Sequence, residues 1–165
     1  MRRLTIGVAA LLLFAACGDG DAGETSLEEY FADLEVAAVA YDAAAGPIDT
    51  ALSESTDPLN DVKELFPPFV DDLGAFVDAL AGMTPPSEVS AEHAITVDRG
   101  RAVFAAFEDV VAELDGVNDL EGLSALFAGP AMAAMIEAGH LFSEGCETLQ
   151  SVADAEGIAV DLRCD

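Results

Sequence analysis

Residues 87–114 read SEVSAEHAITVDRGRAVFAAFEDVVAEL, and this stretch decides the predicted fold. Its apolar residues recur at spacings of three and four, which is the period of an amphipathic helix rather than of a strand. The residues on this period are Val89, His93, Val97, Gly100, Phe104, Phe107, Val111 and Leu114. The stretch therefore predicts one long helix, which is entered from a loop at residues 82–86 and ends near Leu114.

Two helices with the same period are predicted before this one. The first begins at Ser26, whose hydroxyl can cap it, and the Gly-Pro pair at residues 46–47 is expected to break or kink it. The second begins at the Asp-Pro pair at residues 57–58, where the aspartate is the expected cap. The two prolines at residues 67–68 supply no amide proton, so we expect a kink across which the apolar residues stay in phase.

Two more helices are predicted after the decisive stretch. A short one covers residues 120–127, and a long one follows the Gly-Pro pair at residues 129–130. Gly157 is a typical stop at a helix C-terminus, and residues 158–164 are expected to be extended.

Four long amphipathic segments with short connections favour an antiparallel four-helix bundle. Gly100 and Gly139 lie on the predicted inner faces, where we expect them to allow close helix contact. The predicted fold is therefore all-α, with a single four-helix-bundle-like domain at residues 26–165, kinked helices and a short extended C-terminal tail.

The charge of the chain narrows its possible partners. It has 32 Asp and Glu against 6 Lys and Arg, which gives a formal net charge of −26. Such a surface repels nucleic acid and anionic lipid, so neither is an expected partner. High charge can also indicate disorder, but the 52% hydrophobic content argues against it.

The first seventeen residues form a pattern typical of export. Arg2 and Arg3 precede an apolar run at residues 6–16, which is about half of the roughly 20 residues that a membrane-spanning helix needs. The segment resembles the precursor of a bacterial lipoprotein, whose lipobox has leucine, two small residues and a cysteine that receives a diacylglyceryl group. Here the lipobox reads Phe-Ala-Ala-Cys at residues 14–17, with phenylalanine where leucine is usual.

The resemblance implies a signal peptide at residues 1–16, a lipid on Cys17 and a tether at residues 17–25. It also implies an exported protein that this lipid anchors to the outer face of a bacterial membrane. The alternative is an ordinary secretory signal cleaved near Ala16, which would leave Cys17 as a thiol. Either cleavage predicts export.

Cys146 and Cys164 are expected to form a disulfide. Exported cysteines face oxidising surroundings, and a lipid on Cys17 leaves these two as a pair. The predicted last helix rises about 16 Å from Cys146 to Gly157, and seven extended residues can return about 23 Å, so the two cysteines can meet. A redox-active pair is disfavoured because the sequence has no Cys-x-x-Cys spacing.

Two histidines and two methionines are the candidate metal ligands. Glu137 and His140 have the Glu-x-x-His spacing of ferritin-like carboxylate proteins, but that pattern needs the motif twice and His93 lacks it. Met132, Met135 and one histidine could instead offer thioether and imidazole ligands to copper or haem. Core methionines and a hydrogen-bonded histidine explain the same residues without a metal. The hypotheses differ in whether these side chains converge in one pocket.

No catalytic motif stands out in the sequence. It has no Gly-x-Ser-x-Gly, Walker or dinucleotide-binding pattern, and no cofactor is predicted. A hydrolase built on Glu92, His93 and Asp98 would need these groups to line a cleft, yet residues five apart do not face each other on a helix. We therefore expect a non-enzymatic, membrane-anchored helical module that binds an envelope protein or a small ligand through a groove between helices. The alternative is a metal- or haem-binding bundle.

Overall fold

The computed structural model describes residues 25–164, and over this range the chain is all-α. Four long helices are joined by one short helix and one 3-10 turn. In chain order the elements are α1 (Leu27–Ser53), α2 (Pro58–Gly82), the 3-10 turn (Ser87–Val89), α3 (Ser90–Leu114), α4 (Leu120–Phe127) and α5 (Pro130–Ala155). The predicted all-α bundle is confirmed, and α4 is the predicted short helix.

Local interactions account for three of the helix ends. At the start of α1, the Glu29 N–H donates to Ser26 Oγ at 3.2 Å, so the predicted cap is present. At the start of α4, the Gly122 N–H donates to Asp119 Oδ1 at 2.8 Å. After α5, Gly157 has a φ of 72°, which glycine adopts without steric cost, and the helix stops there as predicted.

Two predictions about helix ends are corrected. The sequence predicted a break or a kink at residues 46–47, and α1 does not break there but continues to Ser53. Asp57 precedes α2, but its side chain makes no cap bond to the backbone. It accepts instead from Asn60 Nδ2 at 2.6 Å, which occupies one of its oxygens. At residues 67–68, by contrast, α2 continues as predicted.

Neighbouring helices run antiparallel. A Cβ added at Gly74 of α2 would lie 2.9 Å from the Phe104 ring of α3, and one at Gly100 would lie 3.3 Å from Val77. Residue numbers therefore rise along α2 as they fall along α3. The Tyr41 ring of α1 packs against the rings of Phe69 and Phe76, so α1 lies beside α2. α5 packs against α3.

Two glycines allow close contact between α3 and α5, and one of them differs from the prediction. Gly100 is buried, and its Cβ position lies 3.3 Å from Phe142, as expected for a close approach. Gly139 has open space at its Cβ position, so its predicted role is wrong. Gly145 takes that role, because a Cβ there would lie 3.0 Å from Thr96 Oγ1.

The buried side chains form clusters along the bundle. One cluster, termed the tail end, consists of Tyr30, Phe31, Leu34, Leu80, Val89, Val97, Leu149, Ala153 and Leu162. Another, termed the α4 end, consists of Val62, Val110, Leu114, Val117, Leu123, Leu126 and Met132. A smaller cluster joins them at Leu73, Val77 and Val103.

The C-terminal tail (residues 158–164) folds back along α5. Cys146 and Cys164 form the predicted disulfide, with their Cα atoms 5.4 Å apart. One turn further along α5, Gln150 bonds the tail through both ends of its amide. Its Nε2 donates to the Val160 carbonyl at 3.0 Å, and its Oε1 accepts the Leu162 N–H at 2.9 Å.

The other edge of the tail contacts α1. The Asp161 N–H donates to Glu35 Oε1 at 2.9 Å, and Arg163 pairs with Asp42. The tail therefore lies between α5 and α1 and connects the first and last long helices.

Candidate functional site

A groove of about 240 Å³ lies between α1 and α2 and is termed the α1–α2 groove. Its lining residues are Ala37, Ala40, Tyr41, Ala44, Asp72, Ala75, Phe76 and Ala79. The rings of Tyr41 and Phe76 stack with centroids 5.0 Å apart. Alanine side chains are too short to fill the space above these rings, so the groove stays open. Burial raises the pKa of Tyr41 to about 12, which keeps its hydroxyl neutral.

A second concavity, of about 400 Å³, lies between the start of α1 and the end of α2. It is more polar, and its lining residues are Thr25, Tyr30, Asp33, Ala79, Gly82, Met83 and Thr84. The two concavities share Ala79, so together they follow α1 and α2 from residue 25 to residue 44.

α1 also exposes apolar side chains outside the groove. The inward face of this helix is buried, as at Phe31, Leu34 and Ala38. Yet Val36 is 70% exposed and Val39 is 41% exposed. An amphipathic surface helix would carry polar residues at these positions, so α1 has more apolar surface than its bundle covers.

The charges beside the groove are nearly all negative. α1 has no lysine or arginine, and α2 has Lys63 alone. The carboxylates that these two helices present include Glu28, Glu29, Asp33, Glu35, Asp42, Asp61, Glu64, Asp71, Asp72 and Asp78. A cationic group approaching the groove would thus meet a favourable field, and an anionic one would be repelled.

His93 lies in the core at the tail end. It is 6% exposed, and its Nδ1 lies 2.9 Å from the Tyr30 hydroxyl, within hydrogen-bonding distance. Burial lowers the pKa of His93 and raises that of Tyr30, so both groups are neutral near pH 7. The predicted buried, hydrogen-bonded histidine is present. Its partner Tyr30 was not predicted, although Tyr30 lies three residues after Leu27 and four before Leu34 and so follows the apolar period of α1.

The four candidate metal ligands do not come together. Met132 is buried at the α4 end and Met135 packs against it, whereas His93 is at the tail end. Met132 shares its cluster with Leu114, which lies 21 residues after His93 on α3, a rise of about 31 Å. His140 is exposed on α5. Among residues 25–164, no group of three or more His, Cys, Asp or Glu side chains is arranged to hold a metal ion.

The residues of the hypothetical hydrolase are also separated. His93 bonds Tyr30 rather than a carboxylate. Asp98 is exposed and pairs with Arg101 at 3.3 Å, one turn along α3. Neither of the two concavities described above is lined by Glu92, His93 or Asp98.

The signal peptide, the lipobox and Cys17 lie outside the described residues. Within residues 25–164, no single helix is long and apolar enough to cross a membrane, although α4 and α5 meet the length and composition criteria as a pair bent by 44°. Comparisons with protein families, with curated proteins and with solved structures find no match.

Proposed function

We propose that this protein is an exported, lipid-anchored helical module that binds a partner in the α1–α2 groove and is not an enzyme. The observation that carries the binding role is the open groove between α1 and α2, which is lined mainly by apolar side chains. Concave, mostly apolar surfaces with a few polar groups are typical of binding sites.

Two features support the export and the anchor. The N-terminal segment has the charge, length and lipobox of a lipoprotein precursor. The disulfide between Cys146 and Cys164 suits an oxidising compartment, because cytosolic thiols are kept reduced. A lipid on Cys17 would hold this acidic protein at a membrane whose surface charge repels it.

The anchor is tested by Cys17→Ser in the full chain, with membrane fractionation and the intact mass as readouts. We expect the wild-type protein to be found in the membrane fraction and its intact mass to include a lipid. The intact mass of the Cys17→Ser variant should not include the lipid. Cys164→Ser is the matched control, since it removes a cysteine but leaves the lipobox intact. Wild-type protein without a lipid on Cys17 would refute the anchor.

The binding role is tested in cells of the organism that encodes the protein. A photo-crosslinking residue in place of Ala40 lies in the groove, and one in place of the exposed Ala105 on α3 serves as the control. We expect adducts from position 40 and few from position 105. Equal yields from both positions, or none from either, would contradict a binding role for the groove.

A further inference from the structure

We infer that the partner segment recognised by the α1–α2 groove is a basic amphipathic helix of another protein. This inference rests on the proposed binding function and names the partner class for the same site. It follows from three properties of the surface: its openness along two helices, its length and the sign of its charge.

The shape of the groove suits a helix better than a small molecule. Its volume of about 240 Å³ is below the roughly 300–1,000 Å³ of enclosed ligand pockets. It is bounded by two antiparallel helices with alanine at most contact positions, so a third helix can approach closely.

The length of the α1–α2 groove determines how many apolar side chains of a partner helix can contact it. From Ala37 to Ala44 along α1 the rise is about 10 Å, which is about two helical turns. A partner helix would therefore place apolar side chains at positions i, i+3 or i+4, and i+7 against it. Small or branched aliphatic side chains fit above the Tyr41 and Phe76 rings.

The charge selects among possible occupants. Asp72 lines the groove, Asp33 lines the adjoining concavity, and Lys63 is the single cation on the two helices. Lysine or arginine on the flanks of a partner helix would meet these carboxylates. A second copy of this chain, with its own net charge of −26, would be repelled, and so would an anionic lipid surface.

The test uses the purified full chain in phosphatidylcholine nanodiscs and three fluorescent 18-residue peptides. The first is an amphipathic helix of Leu, Ala and Lys. The second has the same composition in a scrambled order, and the third has Glu in place of Lys. We expect the first to bind about tenfold more tightly than the scrambled peptide and the Glu peptide not to bind, with affinity falling as salt is raised.

Two variants with a matched substitution locate the binding site. Ala75→Gln fills the groove, whereas Ala105→Gln makes the same change at an exposed position on α3. Circular dichroism establishes that both variants are folded. We expect Ala75→Gln to weaken binding of the Lys peptide about tenfold and Ala105→Gln to leave it unchanged.

Other outcomes overturn the inference. Equal binding of the ordered and scrambled Lys peptides would mean that charge alone is recognised. Equal effects of the two glutamine variants would place the peptide elsewhere, and concentration-dependent dimerisation lost in Ala75→Gln would identify a second copy as the occupant. If any of these results accompanies groove-specific crosslinks from position 40, the binding role stands and only the partner class is wrong.

Discussion

At the tail end of the bundle, the core is covered by residues 158–164, which form no helix or strand and are held by a disulfide and by Gln150. At the α4 end, the core is covered by a short helix that begins at the Asp119 cap. The tail end also holds the buried His93, whereas the buried residues of the α4 end are all apolar.

The two ends differ because α4 and the tail find hydrogen-bond partners for their backbone N–H and C=O groups in different ways. A helix pairs most of its N–H and C=O groups internally, so α4 needs only apolar contacts to stay in place. The tail pairs little of its backbone internally, as in the bond from the Val160 N–H to the Ile158 carbonyl at 3.2 Å. Its backbone must find partners on α1 and α5, as at Glu35 and Gln150, and the disulfide limits how far it can leave them.

The largest expected effect tests whether both ends belong to one cooperative unit. Leu114→Ala removes a side chain that is 2% exposed at the α4 end, and Leu149→Ala removes one that is 1% exposed at the tail end. Each should lower the free energy of unfolding by about 2–5 kcal/mol, because each leaves a cavity. Urea unfolding followed by circular dichroism measures both losses.

If both variants unfold in single, superimposable transitions, the two ends share one cooperative core even though different segments cover them. If Leu149→Ala instead produces a separate early transition that Leu114→Ala lacks, the tail end unfolds on its own and the bundle is not one unit.

The next effect separates the two covers directly. Replacing both Cys146 and Cys164 by serine should lower the free energy of unfolding by about 3 kcal/mol, since the closed loop spans 18 residues and its entropy returns to the unfolded chain. Amide hydrogen exchange should quicken at Leu162 more than at Val110 of the α4 end. The control is reduction of the wild-type protein, and equal loss of protection at both ends would contradict a local role for the disulfide.

The buried histidine gives the tail end a pH dependence of its own. The unfolded pKa is 6.5 and burial lowers the folded pKa, so as the pH falls the unfolded chain takes up the proton first. The free energy of unfolding therefore decreases between pH 6.5 and the folded pKa, by at most about 1.4 kcal/mol per pH unit.

The many carboxylates also titrate, so the contribution of His93 is measured as a difference. Urea unfolding of wild-type protein and His93→Gln is compared from pH 7.5 to pH 5. The difference should change with pH. Parallel curves for the two proteins would show that His93 does not change protonation on unfolding.

The sequence predicted the helices well because each long helix repeats its apolar residues over several turns. It also predicted the disulfide, since the export pattern implies oxidising surroundings and the chain is long enough for Cys164 to reach Cys146. It did not locate the groove. The groove is open because its alanine side chains are short, and in the sequence the alanines at residues 37, 40 and 44 look like ordinary helix formers. The signal available was α1 itself, which is apolar on more than one face.

Contacts between helices were the least predictable feature. The helical period predicted that Gly139 faces inward. Because each residue turns the helix by 100°, a small error in the predicted rotation of α5 changes which of its glycines contacts α3. The apolar period also gave no reason to expect Gly145, which faces a threonine, and it did not indicate that Tyr30 would bond a histidine.

The smallest expected effect concerns two glycines of α5, whose replacement by alanine should change the stability of the protein in opposite directions. Gly145→Ala would place a Cβ 3.0 Å from Thr96 Oγ1 near the tail end, so α3 and α5 must separate slightly and the protein should lose about 1 kcal/mol. Gly139→Ala meets open space, and the better helix propensity of alanine should stabilise the protein by about 0.5–1 kcal/mol. Thermal unfolding measures both shifts. Stabilisation by both substitutions would mean that α3 and α5 adjust at no cost, and that the tight packing at Gly145 is not required by the tail end.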